Sequence, residues 1–340
     1  MKFLLIASLS LVLVSCASKK KVKISAVEPA QEDQMTGIRT LTFIPFENDR
    51  IGVGGVIEGA VGNYSLDGTK PYFKVVDRRN INHVLAEQAL SASWAVNPKE
   101  RVRVGQMTGA QGIFTGQVLS ADSSQSNTTS SRSRCAATNN KGHCTRYESY
   151  NVTCQNVNYT LSVLVKLVDS STGNSLYTNT FADKAEYQKC PDYGHIPSGG
   201  EVMAEMARKI STNLLSKIAP TKYLLEVNML EDLKDVEDPT DMQEELFKSG
   251  IKFADAGRAD KALDIFKRLG ESLQWKSYVA NFNYAVMLEA SGDLLEAQKY
   301  YKAADEITTE PNEEVSKGVE RIAQRLLKHE RLAGQLKARE

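Results

Sequence analysis

Cysteines carry most of the chemistry open to this 340-residue chain, and there are five of them. Cys16 closes an apolar leader and is taken up below, which leaves Cys135, Cys144, Cys154 and Cys190. An even set of thiols in an oxidising compartment reads as two disulfides, with three connectivities open. Residues 157–168 and 175–182 have strand character on either side of the turn Ser170-Ser171-Thr172-Gly173. Reflecting the chain about that turn sets Cys154 opposite Cys190, and directly opposed strand residues lie within bridging reach. Cys135 is then left to pair with Cys144. The rival chemistry is a zinc site built from the same thiols and His143; it lacks any CxxC spacing and needs free thiolates.

Other reactive types are scattered. Ile51-Gly52-Val53-Gly54-Gly55 invites a phosphate-loop reading, but it lacks both the Gly-x-Gly-x-x-Gly register and a following Lys-Ser/Thr, so a loop-to-helix junction is expected. His83 falls among apolar helical positions, and His195 and His329 stand isolated in polar surroundings. Asp77 beside Arg78 and Arg79 reads as ion pairing at a strand end. No Ser/His/Asp order or carboxylate pair stands out, so the expectation is no catalytic residue, no metal and no cofactor.

The elements that must position these residues begin with the leader. Met1-Lys2, an apolar run over 3–14, then Ser15 and Cys16 have the layout of a secretory signal. The run is shorter than the ~20 residues a membrane-spanning helix needs. Leu13-Val14-Ser15-Cys16 resembles the lipobox of bacterial lipoproteins, which implies cleavage after residue 15 and acylation (palmitate among the chains) at Cys16. Ala17 in place of Asp implies, by the same resemblance, sorting to the outer membrane, facing the periplasm. Residues 16–36 are polar and read as a tether. Forty-two Lys and Arg balance 42 Asp and Glu, which speaks against nucleic-acid binding. The dense basic run Lys19, Lys20, Lys21 and Lys23 follows the anchor, where it can meet anionic headgroups.

Residues 37–220 read as an α/β (α+β) domain. Strands are expected at 38–44, 72–76 and 112–119, with helices at 51–62, 80–90, 98–107 and 201–218. The stretch 121–156 is crowded with Ser, Thr, Asn and Arg and reads as an exposed, disulfide-bearing insertion. Residues 221–238 are an acidic linker. From 239 to 340 the pattern is all-α, with an internal repeat. Gly250, Gly257, Ala262 and Phe266 recur 35 positions later as Ala285, Gly292, Ala297 and Tyr301. Small residues admit close helix approach, each Gly ends a helix, and the aromatic plugs the gap. This resembles tetratricopeptide repeats, with 313–332 as the capping helix such arrays need.

A third resemblance covers about 38–218. Leu41-Thr42-Phe43-Ile44-Pro45-Phe46-Glu47-Asn48 is similar to the opening strand of the curli secretion lipoprotein (CsgG) family. Phe73-Lys74-Val75-Val76-Asp77-Arg78-Arg79 leading into 81–88 resembles its strand-plus-helix signature, and 110–118 and 163–175 resemble later strands. The resemblance implies a periplasmic domain similar to anticodon-binding folds, on an outer-membrane lipoprotein of secretion or envelope assembly. It also implies protein partners in the envelope and leaves a homo-oligomer open. Pore-forming members insert amphipathic hairpins and narrow the channel with an aromatic loop. Here 121–150 lacks the alternation of a membrane strand, 183–199 is polar, and 47–62 has no aromatic residue. The expectation is a noncatalytic scaffold that binds partners through its repeats. A channel for unfolded polypeptide and an activator of a peptidoglycan synthase are the alternatives.

Overall fold

The computed structural model describes residues 20–35, 37–76 and 98–337. The leader, Cys16, and the helix expected at 80–90, with Asp77, Arg78, Arg79 and His83, lie outside the described residues. The chain divides into two compact units, one from Glu28–Thr221 with Arg331–Glu340 and one from Met1–Val27 with Lys222–Glu330.

The α/β unit is built on a five-stranded mixed sheet of order β3-β2-β4-β5-β6. Its strands are β2 (Thr40–Phe43), β3 (Lys74–Val75), β4 (Gly112–Thr138), β5 (Cys144–Asp169) and β6 (Ser175–Lys189). β2 runs parallel to β3 and β4, while β4-β5 and β5-β6 are antiparallel. Leu41, Thr42, Phe43, Ile113 and Phe114 are all buried, so the base of the sheet is covered on both faces. Phe43 and Phe114 stack with ring centres 4.7 Å apart. Among the described residues this unit includes the helices α1 (Val53–Asn63), α2 (Pro98–Thr108) and α3 (Gly199–Ile218). α3 starts in a capping box between Ser198 and Glu201. Its stripe Val202, Met206, Ile210, Leu214 and Ile218 joins Val53, Ile57 and Val61 of α1 in one core.

β4 and β5 run far past that core, so the exposed, disulfide-bearing stretch expected at 121–156 takes the form of a two-stranded ribbon. Their ladder continues without a break in direction from Gly112↔Asp169 to Thr138↔Cys144. Residues 121–138 alone extend about 60 Å at ~3.3 Å per residue. The sequence hid this because both faces of the ribbon are solvated, so no apolar alternation marks the strands. Main-chain pairing and covalent bridges hold the register instead.

The second unit opens with β1 (Lys21–Glu28), which pairs with β7 (Thr221–Asn228) in a separate two-stranded sheet. Both segments were expected to be unstructured, as tether and linker. In β1, Val22, Ile24 and Ala26 are buried and alternate with exposed Lys21, Lys23 and Ser25. The Lys-rich composition masked a period of two that is there to be read. Helices follow as α4 (Asp241–Asp255), α5 (Ala259–Ser272), α6 (Tyr278–Ser291), α7 (Leu294–Ile307) and α8 (Glu313–Lys337). Val22, Ile24, Val227, Met229 and Leu233 enter the same apolar cluster as Phe247, Phe266, Phe282 and Tyr301.

Candidate interaction surfaces

The four described cysteines are bridged, Cys135 to Cys144 and Cys154 to Cys190. Both bridges lie on the ribbon. Cys154–Cys190 ties the end of β6 to β5, and Cys135–Cys144 closes the two-stranded tip. Between them two arginines brace the exposed surface. Arg132 lies over the Tyr193 ring and pairs with Asp192 at 2.9 Å. Arg134 lies over Tyr150 and pairs with Glu148. Tyr147 is 69 % exposed. The ribbon therefore presents hydroxyls, amides and phenols to solvent on a covalently fixed frame. His143 and His195 are exposed, and among the described residues no three His, Cys, Asp or Glu side chains converge to hold a metal ion.

At the Gly-rich loop, the start of α1 is filled by the chain itself. The Asp49 carboxylate accepts hydrogen bonds from Val53 N–H at 2.9 Å and Gly54 N–H at 2.8 Å. An anion at a helix N-terminus is the favoured arrangement, and here a side chain supplies it. Gly52 has φ +78°, where a side chain would be strained. A Cβ at Gly54 would come within 3.2 Å of the Phe46 ring.

In the helical unit six of the eight repeat residues are buried, and Gly257 and Gly292 are exposed. Gly250 of α4 faces Phe266 of α5, and a Cβ there would stand 2.7 Å from the ring. Ala262, Ala285, Ala297, Phe266 and Tyr301 are fully buried. Gly257 and Gly292 follow α4 and α6 with φ of +73° and +90°, the left-handed conformation that ends a helix. A third copy of the pattern went unread. Val315, Gly318 and Ile322 of α8 lie 33 residues after Phe282, Ala285 and Glu289 of α6, and Gly318 faces Tyr301 of the preceding helix α7, where a Cβ would stand 2.7 Å from the ring. That spacing falls two residues short of the 35-residue period.

Glu289 was missed as well. Its side chain is 0 % exposed, and it is held by Arg321 at 2.9 Å and Arg325 at 2.9 Å, themselves only 18 % and 12 % exposed. The Tyr301 hydroxyl donates to it at 2.6 Å. Burial pushes the carboxyl up, but the Arg321 hydrogen bond and charge, with Tyr301 and Arg325, outweigh this and hold it below the ordinary carboxylate value. Burial drives the Tyr301 phenol well above its usual range. The network fastens α8 to α6 and α7. Arg321 and Arg325 stand one turn apart on α8, so both guanidiniums reach the same carboxylate.

The repeats were expected to offer an open face to a partner. Part of that face is covered by the chain's own residues 229–236. The Asn283 side-chain amide donates to Leu230 C=O at 2.9 Å and accepts from Leu230 N–H at 3.0 Å. Asp235 accepts from Ser277 Oγ at 3.0 Å and from Val279 N–H at 3.3 Å, at the start of α6. Two cavities flank the segment. One of about 370 Å³ is lined by Leu230, Tyr278 and Glu313, and one of about 580 Å³ by Lys276, Ile307 and Glu310; Lys234, Tyr278, Pro311 and Asn312 border both. No described helix is long and apolar enough to cross a membrane.

Parts of the chain are similar to a known family and to solved structures. The model of the family described as curli production assembly/transport component CsgG matches residues 66–190. Among solved structures, lipoprotein GNA1162 from Neisseria meningitidis is similar at 13 % identity and a TM-score of 0.28, covering 51 % of this chain and 99 % of that one. The PelC dodecamer from Paraburkholderia phytofirmans is similar at 14 % identity and a TM-score of 0.25, covering 58 % of this chain and 98 % of the other. No curated protein matches the chain.

Proposed function

We propose, on the premise that this chain carries a CsgG-family domain at residues 66–190, that it is a lipid-anchored accessory of envelope assembly or secretion. In this reading Cys16 is acylated and holds the protein at the periplasmic face of the outer membrane. The α/β unit, in an anticodon-binding-like arrangement, is the family module. The helical unit recognises protein partners without catalysis. The observation that carries the reading is the joining of that module to a helical unit in which clefts border Tyr278 and Lys234. Affinity capture with the full chain from detergent-extracted envelopes tests it. Partners should be recovered with the wild type and lost with a Tyr278→Ala, Lys234→Glu variant. Recovery of the same partners by both would overturn partner recognition at this face.

An oligomeric secretion channel is the second reading, favoured by the transport role in the family's description. The ribbon's polar residues on both faces count against its insertion in lipid. Conductance across liposomes carrying the purified protein would reverse the order of the two readings.

A further inference from the structure

We infer that the exposed face of the β1-β7 sheet is a docking surface for an anionic lipid bilayer. The inference rests on acylation of Cys16 and adds to it a second, protein-borne contact. Lys20 is held at three points. Its N–H donates to Glu231 Oε1 at 2.6 Å, its carbonyl accepts from Met229 N–H at 2.9 Å, and its ammonium pairs with Asp255 at 2.7 Å. Ala17, Ser18 and Lys19 are all that separate this fixed point from Cys16. Four residue steps span about 14 Å at most. An acylated sulfur therefore holds the start of β1 within about one to two Debye lengths of the headgroups.

The face presented there suits that neighbour. One side of the two-stranded sheet is spent on the helical core through Val22, Ile24 and Val227. The other exposes Lys21 and Lys23 from β1, and Lys222, Leu224 and Glu226 from β7. Lys21 pairs with Glu226 across the strands at 3.0 Å, which fixes these residues on a common side. Two positive charges remain in excess among the five, and Leu224, 69 % exposed, projects among them. Lysines near an anionic surface with an apolar side chain between them are the chemistry of a membrane-contact face. A short, fixed distance from the anchor makes that contact intramolecular in effect.

The test uses the full lipidated chain in proteoliposomes, with Leu224→Trp as reporter and brominated lipids as quenchers. With brominated phosphatidylglycerol the added tryptophan is expected to be quenched, with less quenching in brominated phosphatidylcholine. Lys23→Glu and Lys222→Glu should each weaken the contact at least about fivefold, the loss expected for removing one basic residue near an anionic surface. Intact-mass measurement of the same sample reads acylation independently. An acylated chain whose added tryptophan stays unquenched would overturn the docking surface alone, and so would equal quenching in both lipids. An unacylated chain would overturn the premise and the inference with it.

Discussion

The ribbon of the α/β unit and the core of the helical unit solve one problem in opposite ways. Each must hold polar residues in a fixed arrangement. The ribbon leaves its hydroxyls, amides and arginines in water and takes its order from a long antiparallel main-chain ladder, bulged at a few places, and from two disulfides. The helical unit buries its charges: Glu289 sits fully enclosed between Arg321, Arg325 and Tyr301, while rings are packed against Gly250 and Gly318. Rigidity in the first comes from covalent and main-chain bonds, and in the second from packing and charge pairing. The two regions should therefore fail under different insults.

Removing the buried carboxylate should have the largest effect. Glu289→Ala leaves two mostly buried guanidiniums without their partner and should cost the helical unit about 3–5 kcal/mol, read as lost hydrogen-exchange protection in α6 to α8. The ribbon should be unaffected. Reduction inverts the comparison. Opening Cys154–Cys190, 36 residues apart, should cost about 3–4 kcal/mol, and Cys135–Cys144, nine apart, about 2–3. Proteolysis under reducing conditions should then cut the ribbon while the helices resist. A smaller loss is expected from Gly250→Ala, whose methyl group would press on the Phe266 ring; overpacking of this kind costs about 1–3 kcal/mol, visible as a lower denaturant midpoint.

Mild acid should give the gentlest separation. Glu289 is held below the ordinary carboxylate value in the fold, so its stabilisation is complete above about pH 4.3. It is lost as pH falls through the lowered native value. Melting curves followed between pH 6 and 3 should show a component of the helical unit's acid sensitivity that disappears in Glu289→Gln. A variant that keeps the full wild-type slope would detach the network from acid stability.

Legibility in the sequence followed the same division. Where one face is buried and the other wet, periodicity was readable: the stripe of α3 lies in one apolar core, and Ala262, Phe266, Ala285, Ala297 and Tyr301 lie in the other. The turn at Ser170 set Cys154 opposite Cys190 because a β-hairpin register follows from its turn. The rest of the ribbon was invisible, since strands solvated on both sides carry no hydrophobic signature. β1 was overlooked because lysines at every second position look like a charged tether until the intervening Val22 and Ile24 are counted. Glu289 escaped because burial of a carboxylate depends on Arg321 and Arg325, more than thirty residues away. Nothing local to the sequence announces that. The Asn283 clamp on Leu230 is likewise a long-range pairing of two residues unremarkable in themselves.

The central claim is attachment to the membrane through Cys16, and fractionation of cells expressing the wild type and Cys16→Ser tests it most directly. The account predicts that the wild type sediments with outer membranes and resists extraction by high salt, while Cys16→Ser is released into the soluble periplasm. Equal, salt-resistant sedimentation of both chains, or recovery of the wild type in the cytosol with its leader intact, would contradict it.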